Sequence, residues 1–366
     1  ESDQAKIKWQ MLPKGDLGLR SPNGPIAEEH NLVALSDGTL YTMYRTVEGH
    51  PCHAYSTDGG KTWTPPAYAT YTPGGRPMKN PRACPKIWKT GNDKFLFWYH
   101  NHSGKDYKNR NPAWISGGIE KEGHIHWSQP EILLYDPDPD IRISYPDLIE
   151  QDGRYWITET QKTVARVHQL DATLLEGLWR QGTVKSVAPK GLILSSDSTQ
   201  LRTRSVKAPC FPNLYKSGSF TFDVWIKMQN PSAEQIILDS RDQGGKGIVI
   251  ETTKAGTIQI VLNDGKTKAG WDCDRDLLKP NQLHHVVIMV DGGPKIITFV
   301  VDGLLCDGGK YRQYGWGRFG NDLQDVNGSN RISITPAFKG ELKMLRIYGR
   351  YLRTSEAIGN YLAGHK

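Results

Sequence analysis

Ser56-Thr57-Asp58-Gly59-Gly60-Lys61-Thr62-Trp63 is the stretch that decides how the first half of the chain is read. An aspartate placed to bond backbone amides, glycines able to take left-handed dihedrals and a closing tryptophan specify a tight turn between two strands, with the indole packing against the sheet. Just upstream, NLVALSDGTLYTMYRT (31–46) has apolar runs on both sides of an Asp-Gly signal, which predicts a hairpin continuing into HAYSTDGGKTWTPP (53–66). The plan recurs in CPKIWKTGNDKFLFWYHNH (84–102) with GGIEKEGHIHWSQPEILL (117–134), and again in YPDLIEQDGRYWITETQ (145–161). His126-Trp127-Ser128-Gln129-Pro130 reads as a degraded copy of the octapeptide. Repetition every ~55 to 60 residues with four strands per unit is the mark of propeller blades. Three blades cannot close a ring, which takes about four to eight. The expectation is that further blades precede residue 1 or sit on another polypeptide.

Beyond the repeats, DATLLEGLWRQG (171–182) has leucines at helical spacing and ends on glycine, so it predicts a short connecting helix. The segments FTFDVWIKM (220–228), QIILDS (235–240), GIVIETT (247–253), TIQIVLN (257–263), HHVVIMVDG (284–292), KIITFVVDG (295–303) and ELKMLRIYGR (341–350) follow as strands between turn residues, the pattern of a two-sheet sandwich. Two domains are therefore expected, residues 1–182 and 183–366, and the fold class is all-β. Composition agrees: 38 glycines, 22 prolines and 11 tryptophans in 366 residues suit short strands and tight turns rather than helical bundles. The net charge of +7 is spread along the chain without a basic block, which argues against a nucleic-acid partner. No apolar run is long enough for a membrane span, and the first residues lack the pattern of a secretory signal. The five cysteines are far apart and fit no metal finger, and a Cys273–Cys306 disulfide stays open.

The octapeptide fits S-x-D-x-G-x-T-W, the Asp box of sialidase-type propellers, and the first half of the chain resembles that superfamily over about residues 26–182. The resemblance implies the last three blades of a six-bladed sialidase-type β-propeller, with the box in a structural role. The second half resembles laminin-G-like members of the concanavalin A-like class, implying a jelly-roll β-sandwich.

In a propeller blade the residues before the first strand and after the second crowd one rim. That rule collects Glu28, Glu29, His30, Arg45, Arg82, His100, His102, Arg110, Asn111, Arg142, Tyr145, Asp147, Glu159 and Gln161 on one face, with the Gly/Asp turns on the other. Guanidinium forks beside carboxyl groups and a phenol are what an anionic sugar would need. Sialidases carry a glutamate eight residues before a D-G turn and an arginine seven residues after its glycine, and Glu29 and Arg45 stand at those spacings from Asp37 and Gly38. By the same resemblance Arg110 falls in the loop after an aromatic-and-histidine strand, and Tyr145 opens the sixth blade as the nucleophile. Glu29 would take its proton, because a phenol, with a pKa of ~10, is a poor nucleophile without a neighbouring base. Arg45, Arg110, Arg82, Arg142, Asp147, Glu159 and His100 would contact substrate.

The expected function is thus an exo-acting glycoside hydrolase of sialidase type acting on a glycan that ends in an acidic sugar, on a secreted, periplasmic or cell-surface protein. The first arginine and the acid/base aspartate of the family have no counterpart here, and Pro146 stands where the family has a small residue. A uronate lyase using Tyr145 as base, and a non-catalytic carbohydrate-binding protein, are the alternatives. No cofactor is expected. Laminin-G-like sandwiches can hold a structural calcium, but no carboxylate-rich loop here calls for one.

Overall fold

In the computed structural model the described residues are 10–13, 18–232, 234–334 and 338–365. The chain divides into two compact units, one of residues 1–128 with 140–175 and the other of residues 129–139 with 176–366. The expected border lay at 182/183; the second unit instead begins at residue 176, within the connecting helix, and also takes the excursion 129–139.

The first unit is a series of antiparallel meanders. Strands β1 (Glu28–Ala34), β2 (Leu40–Arg45), β3 (Cys52–Ser56) and β4 (Ala67–Tyr68) form one sheet in sequence order. The Asp37 carboxylate accepts from Thr39 N at 2.8 Å and Gly38 takes φ +85°, which closes the β1–β2 hairpin where the Asp-Gly signal stands. Strands β5 (Lys86–Lys89), β6 (Phe95–Tyr99), β7 (Ala113–Lys121) and β8 (His124–Trp127) form a second sheet. After β9 (Glu131–Leu134), which belongs to the other unit, β10 (Leu148–Gln151), β11 (Arg154–Thr160) and β12 (Ala165–Gln169) form a third. Tyr41, Met43, Phe95, Phe97, Tyr99 and Trp127 pack between the first two sheets as a buried core.

The octapeptide turn is held as its composition requires. Asp58 accepts from Thr62 N at 2.9 Å, Thr62 Oγ1 at 2.7 Å and Ser56 Oγ at 2.9 Å, while Gly59 and Gly60 take φ +70° and +88°. Trp63 is only half-buried and donates its indole N–H to Gly60 O at 3.0 Å, so it clamps the turn rather than filling the core.

Helix α1 (Ala172–Trp179) occupies the expected connector. The second unit then stacks two sheets. One has the order β13-β25-β15-β20-β21-β22, built from β13 (Leu192–Asp197), β25 (Gly340–Tyr348), β15 (Phe220–Met228), β20 (Leu283–Asp291), β21 (Ile296–Val301) and β22 (Leu304–Leu305), with β23 (Gly317–Arg318) also on β21. The other has the order β14-β24-β16-β17-β18-β19, from β14 (Ser205–Lys207), β24 (Arg331–Ile334), β16 (Ile236–Asp239), β17 (Gly247–Thr252), β18 (Ile258–Asn263) and β19 (Lys268–Asp272). Ile258, Ile260 and Leu262 alternate inward from β18 against Phe222, Val224, Ile288 and Phe299 of the facing sheet. The short helix α2 (Ser198–Leu201) and the terminal helix α3 (Thr354–Ala363) complete the unit. All five cysteines are free. The Cys273–Cys306 pairing left open by the sequence is not formed, and each sulfur instead accepts a backbone N–H, from Ile258 and Asp274, at 3.3 Å.

Candidate functional site

Arg110 organises the rim of the first unit. It leaves a long loop after β6, is 5% exposed, and donates Nη1 to Ser144 Oγ at 3.1 Å and Nη2 to the Arg82 carbonyl at 2.9 Å. Its own carbonyl accepts from Ile143 N at 3.2 Å, which ties the loop to the segment that opens the third sheet. Its Nε is buried without a hydrogen-bond partner. Burial pushes the Arg110 pKa down; Tyr145 and Glu29 oppose that shift, while Arg45 and Arg142 add to it. One guanidinium is therefore within electrostatic reach of four expected site residues, two from the first sheet and two from the segment that leads into the third.

Tyr145 is 48% exposed and sits at φ +51°, left-handed for an aromatic residue and unusual for one that precedes a proline. The Ser144–Thr160 bridge beside it fixes the segment to β11, and Lys162 Nζ lies 5.5 Å from the phenol ring centre. Glu29 also has positive φ, +55°. It lies in an irregularity of β1, where the register with β2 shifts between Glu28 and Asn31. Successive strand residues normally point to opposite faces. Here the shift lets both Glu28 and Glu29 reach Arg45: Glu28 Oε2 accepts from Nε at 3.0 Å and also from Nη2, and Glu29 Oε2 lies 2.8 Å from Nη1 as an ion pair without hydrogen-bond alignment. Burial alone would lower the Arg45 pKa, but the hydrogen bond to Glu28 and the charges of both glutamates carry it above the usual guanidinium value. The Arg45 hydrogen bond in turn holds Glu28 below the usual carboxylate range. Below Glu29 lies Cys84, its thiol pushed up to about 12 by burial and then by the Glu29 charge.

Arg82 stands over the Tyr107 ring at 4.7 Å, with Nη2 3.9 Å from Glu28 Oε1. Arg142 is exposed, within reach of Arg110. Three expected contact residues have their polar partners outside this group. His100 is fully enclosed with its ring toward Pro112 O, and burial, followed by His102 and Arg110, brings its pKa down to about 3. It carries no charge at neutral pH and is closed off from solvent. Asp147 faces away, accepting from Trp88 Nε1 at 3.4 Å and Leu148 N at 2.9 Å. Glu159 is 1% exposed along its side chain, with Oε1 near Arg166 at 3.5 Å and His168 at 3.6 Å, and Oε2 buried without a hydrogen-bond partner. Ser144, Tyr107 and Cys84 are the participants that sequence reasoning did not single out. Only Ser144 had a signal, its place next to Tyr145.

Chemically the cluster is four guanidinium groups against two carboxylates, with an exposed phenol beside them. Groups of this kind can pair with an anion, and a phenol can serve as nucleophile or base.

A family profile described as the concanavalin A-like lectin/glucanases superfamily matches residues 200–358, which lie within the sandwich. No curated protein matches the chain. Among solved structures, the chain is similar to a mutant of Trypanosoma rangeli sialidase displaying trans-sialidase activity, at 14% identity over 92% of this chain and 62% of that one, with a TM-score of 0.34. It is similar also to Trypanosoma rangeli sialidase, at 13% identity over 99% of this chain and 65% of that one, with a TM-score of 0.33. The intramolecular trans-sialidase from Ruminococcus gnavus in complex with oseltamivir carboxylate shares 19% identity over 41% of this chain and 33% of that one, with a TM-score of 0.31. The chain spans less than two thirds of the length of each of these structures. At these identities and scores the likeness assigns no residue a role.

Proposed function

We propose that residues up to the connecting helix are blades of a sialidase-type propeller bearing an Asp box, that the sandwich is its laminin-G-like companion, and that the protein is an exo-acting glycosidase releasing a terminal acidic sugar. Tyr145 Oη attacks the anomeric carbon, its proton passes to Glu29, and the glycosidic C–O bond breaks as the leaving oxygen gains a proton. Water then cleaves the tyrosyl–sugar bond, so configuration is retained. Arg110 and Arg45 grip the sugar carboxylate, with Arg82 and Arg142 extending the positive rim. The proton donor and a further guanidinium would come from residues outside this chain.

The observation that carries the reading is the Arg110 guanidinium, whose field joins Tyr145, Glu29, Arg45 and Arg142 although they lie as much as ~115 residues apart in sequence. The left-handed backbone at both Glu29 and Tyr145 supports it, since such conformations cluster at functional sites. The test is Tyr145→Phe in the intact protein, assayed with a fluorogenic sialoside. Turnover should fall by roughly 10^3-fold or more while sialic acid still binds. Unchanged turnover removes Tyr145 as nucleophile, an unsaturated ultraviolet-absorbing product would make the protein a lyase, and binding without turnover in the unsubstituted protein would make it a lectin.

A further inference from the structure

The two arginines proposed to hold the sugar carboxylate are in opposite electrostatic states. Arg110 has no ion pair among the described residues, and its buried Nε lacks a hydrogen-bond partner. In Arg45 the edge formed by Nε and Nη2, the edge a carboxylate takes in a forked pair, is already filled by Glu28, and Glu29 faces the remaining Nη1. The Arg45 side chain is 10% exposed and that of Glu28 is 38% exposed, so the glutamate lies on the solvent side of the pair. A regular strand would have turned one of the two adjacent glutamates away from Arg45. The register shift between Glu28 and Asn31, with Glu29 at positive φ, is what brings both to it.

We propose that Glu28 is a resident competitor that holds the Arg45 carboxylate clamp until the sugar's carboxylate displaces it. The inference rests on the acidic-sugar reading above and adds to it the residue that sets selectivity. Arg110 holds no carboxylate that an incoming one must displace, whereas Arg45 is gained only by exchanging one carboxylate for another. A neutral sugar cannot make that exchange and leaves Glu28 in place. The displaced Glu28 has Arg82 beside it, 3.9 Å from its Oε1, as an alternative partner.

The experiment is titration of the intact protein with N-acetylneuraminic acid by calorimetry, comparing the unsubstituted protein with Glu28→Gln, Glu28→Ala, Arg45→Ala and Arg110→Ala, each first shown to melt normally. Removing the competing charge should tighten binding roughly fivefold, a size suited to a partly exposed ion pair. The gain should vanish when Glu28→Gln is combined with Arg45→Ala, because there is then no clamp to release. Arg110→Ala should weaken binding in every background. Glu28 variants that bind equally or more weakly, while Arg110→Ala still costs affinity, would overturn the competitor role and leave the acidic-sugar reading standing. Binding indifferent to Arg110→Ala would discard that reading and this inference with it.

Discussion

At the scale of single residues, burial and charge sort chemically identical side chains into different duties. Arg45 and Arg110 are both enclosed, yet one is held by two carboxylates and the other by a hydroxyl and a carbonyl. The cysteines divide in the same way. Cys52, Cys84 and Cys273 are buried, and burial first, with nearby carboxylates adding to it, pushes each thiol up to about 12. Cys210 is the exposed one of the five. Because the reagent must reach the sulfur, the exposed Cys210 should alkylate with iodoacetamide in the folded protein at pH 8, and the other four only after unfolding. Peptide mass mapping of the native, alkylated protein checks this. Early modification of Cys84 would mean that the layer beneath Glu29 opens to solvent.

At the scale of elements, the turn around Asp58 shows how much of the fold was legible and at what distance. Every donor to the Asp58 carboxylate lies within four residues, so the octapeptide, the three hairpins and the connecting helix could be read from local chemistry. The hydrogen bonds from the Thr62 backbone and hydroxyl hold Asp58 down at about 2, against 3.8 in an unstructured chain. A lowered folded pKa means the stabilisation is complete above the unfolded value and is lost as pH falls from about 3.8 toward 2. Asp58→Ala should therefore lower the melting temperature of the first unit by a few degrees, on the order expected for losing a turn cap. It should also flatten the loss of stability over that acid window. Thermal melts by circular dichroism between pH 2 and 7 decide it, and an unchanged acid limb would show that the turn is held by its glycines alone. What local chemistry did not give was the bulge at Glu28 and Glu29. The spacing to Asp37 located Glu29 and the rim rule added Glu28, but that both reach Arg45 depends on a register shift that no pattern of apolar residues encodes. The enclosure of His100 was hidden for a related reason: it continues a run of five buried residues in β6, and only the packing shows that the run stays enclosed past the strand end.

At the scale of each folded unit, the decisive contacts join residues far apart in sequence. In the sandwich, Asp223 lies in a run that reads as pure core, FTFDVWIKM, and looks out of place there. Its partners are His285 Nε2 at 3.1 Å, Arg346 Nη1 at 3.5 Å and Asn360 Nδ2 at 2.6 Å, all buried, and they keep its pKa low against the burial that would raise it. Replacing Asp223 by alanine strands an enclosed arginine, which should cost about 3–5 kcal/mol of sandwich stability in urea unfolding. A cost near that of a surface substitution would mean that water enters the network.

The same long-range logic explains why residues 129–139 belong to the second unit rather than to the repeats beside them in sequence. Glu131 is buried and accepts from Thr354 N and Ser355 N, both at 2.9 Å, and from Ser355 Oγ at 2.9 Å, at the start of α3. Gln129 donates to Gly303 O and accepts from Leu305 N, both at 2.6 Å. Thr354 is separated from Glu131 by 223 residues, so no reading along the chain could have placed the boundary there. Burial raises the Glu131 pKa, and the bonds from Ser355 and Thr354 offset it only in part. A raised carboxyl pKa means that the stability linked to it is fullest below the unfolded value of 4.5 and falls as pH rises through the folded value. Glu131→Ala leaves buried donors without an acceptor and should cost about 2 kcal/mol at neutral pH. The difference from the unsubstituted protein should be larger at pH 4 than at pH 7. A fragment of residues 183–366, which lacks both Gln129 and Glu131, should unfold at a lower urea concentration than the same sandwich in the intact chain. Hydrogen exchange of the α3 amides reads both losses directly. Equal protection of α3 in the intact protein, the variant and the fragment would show that the helix is anchored by its own packing and that the excursion contributes nothing to it.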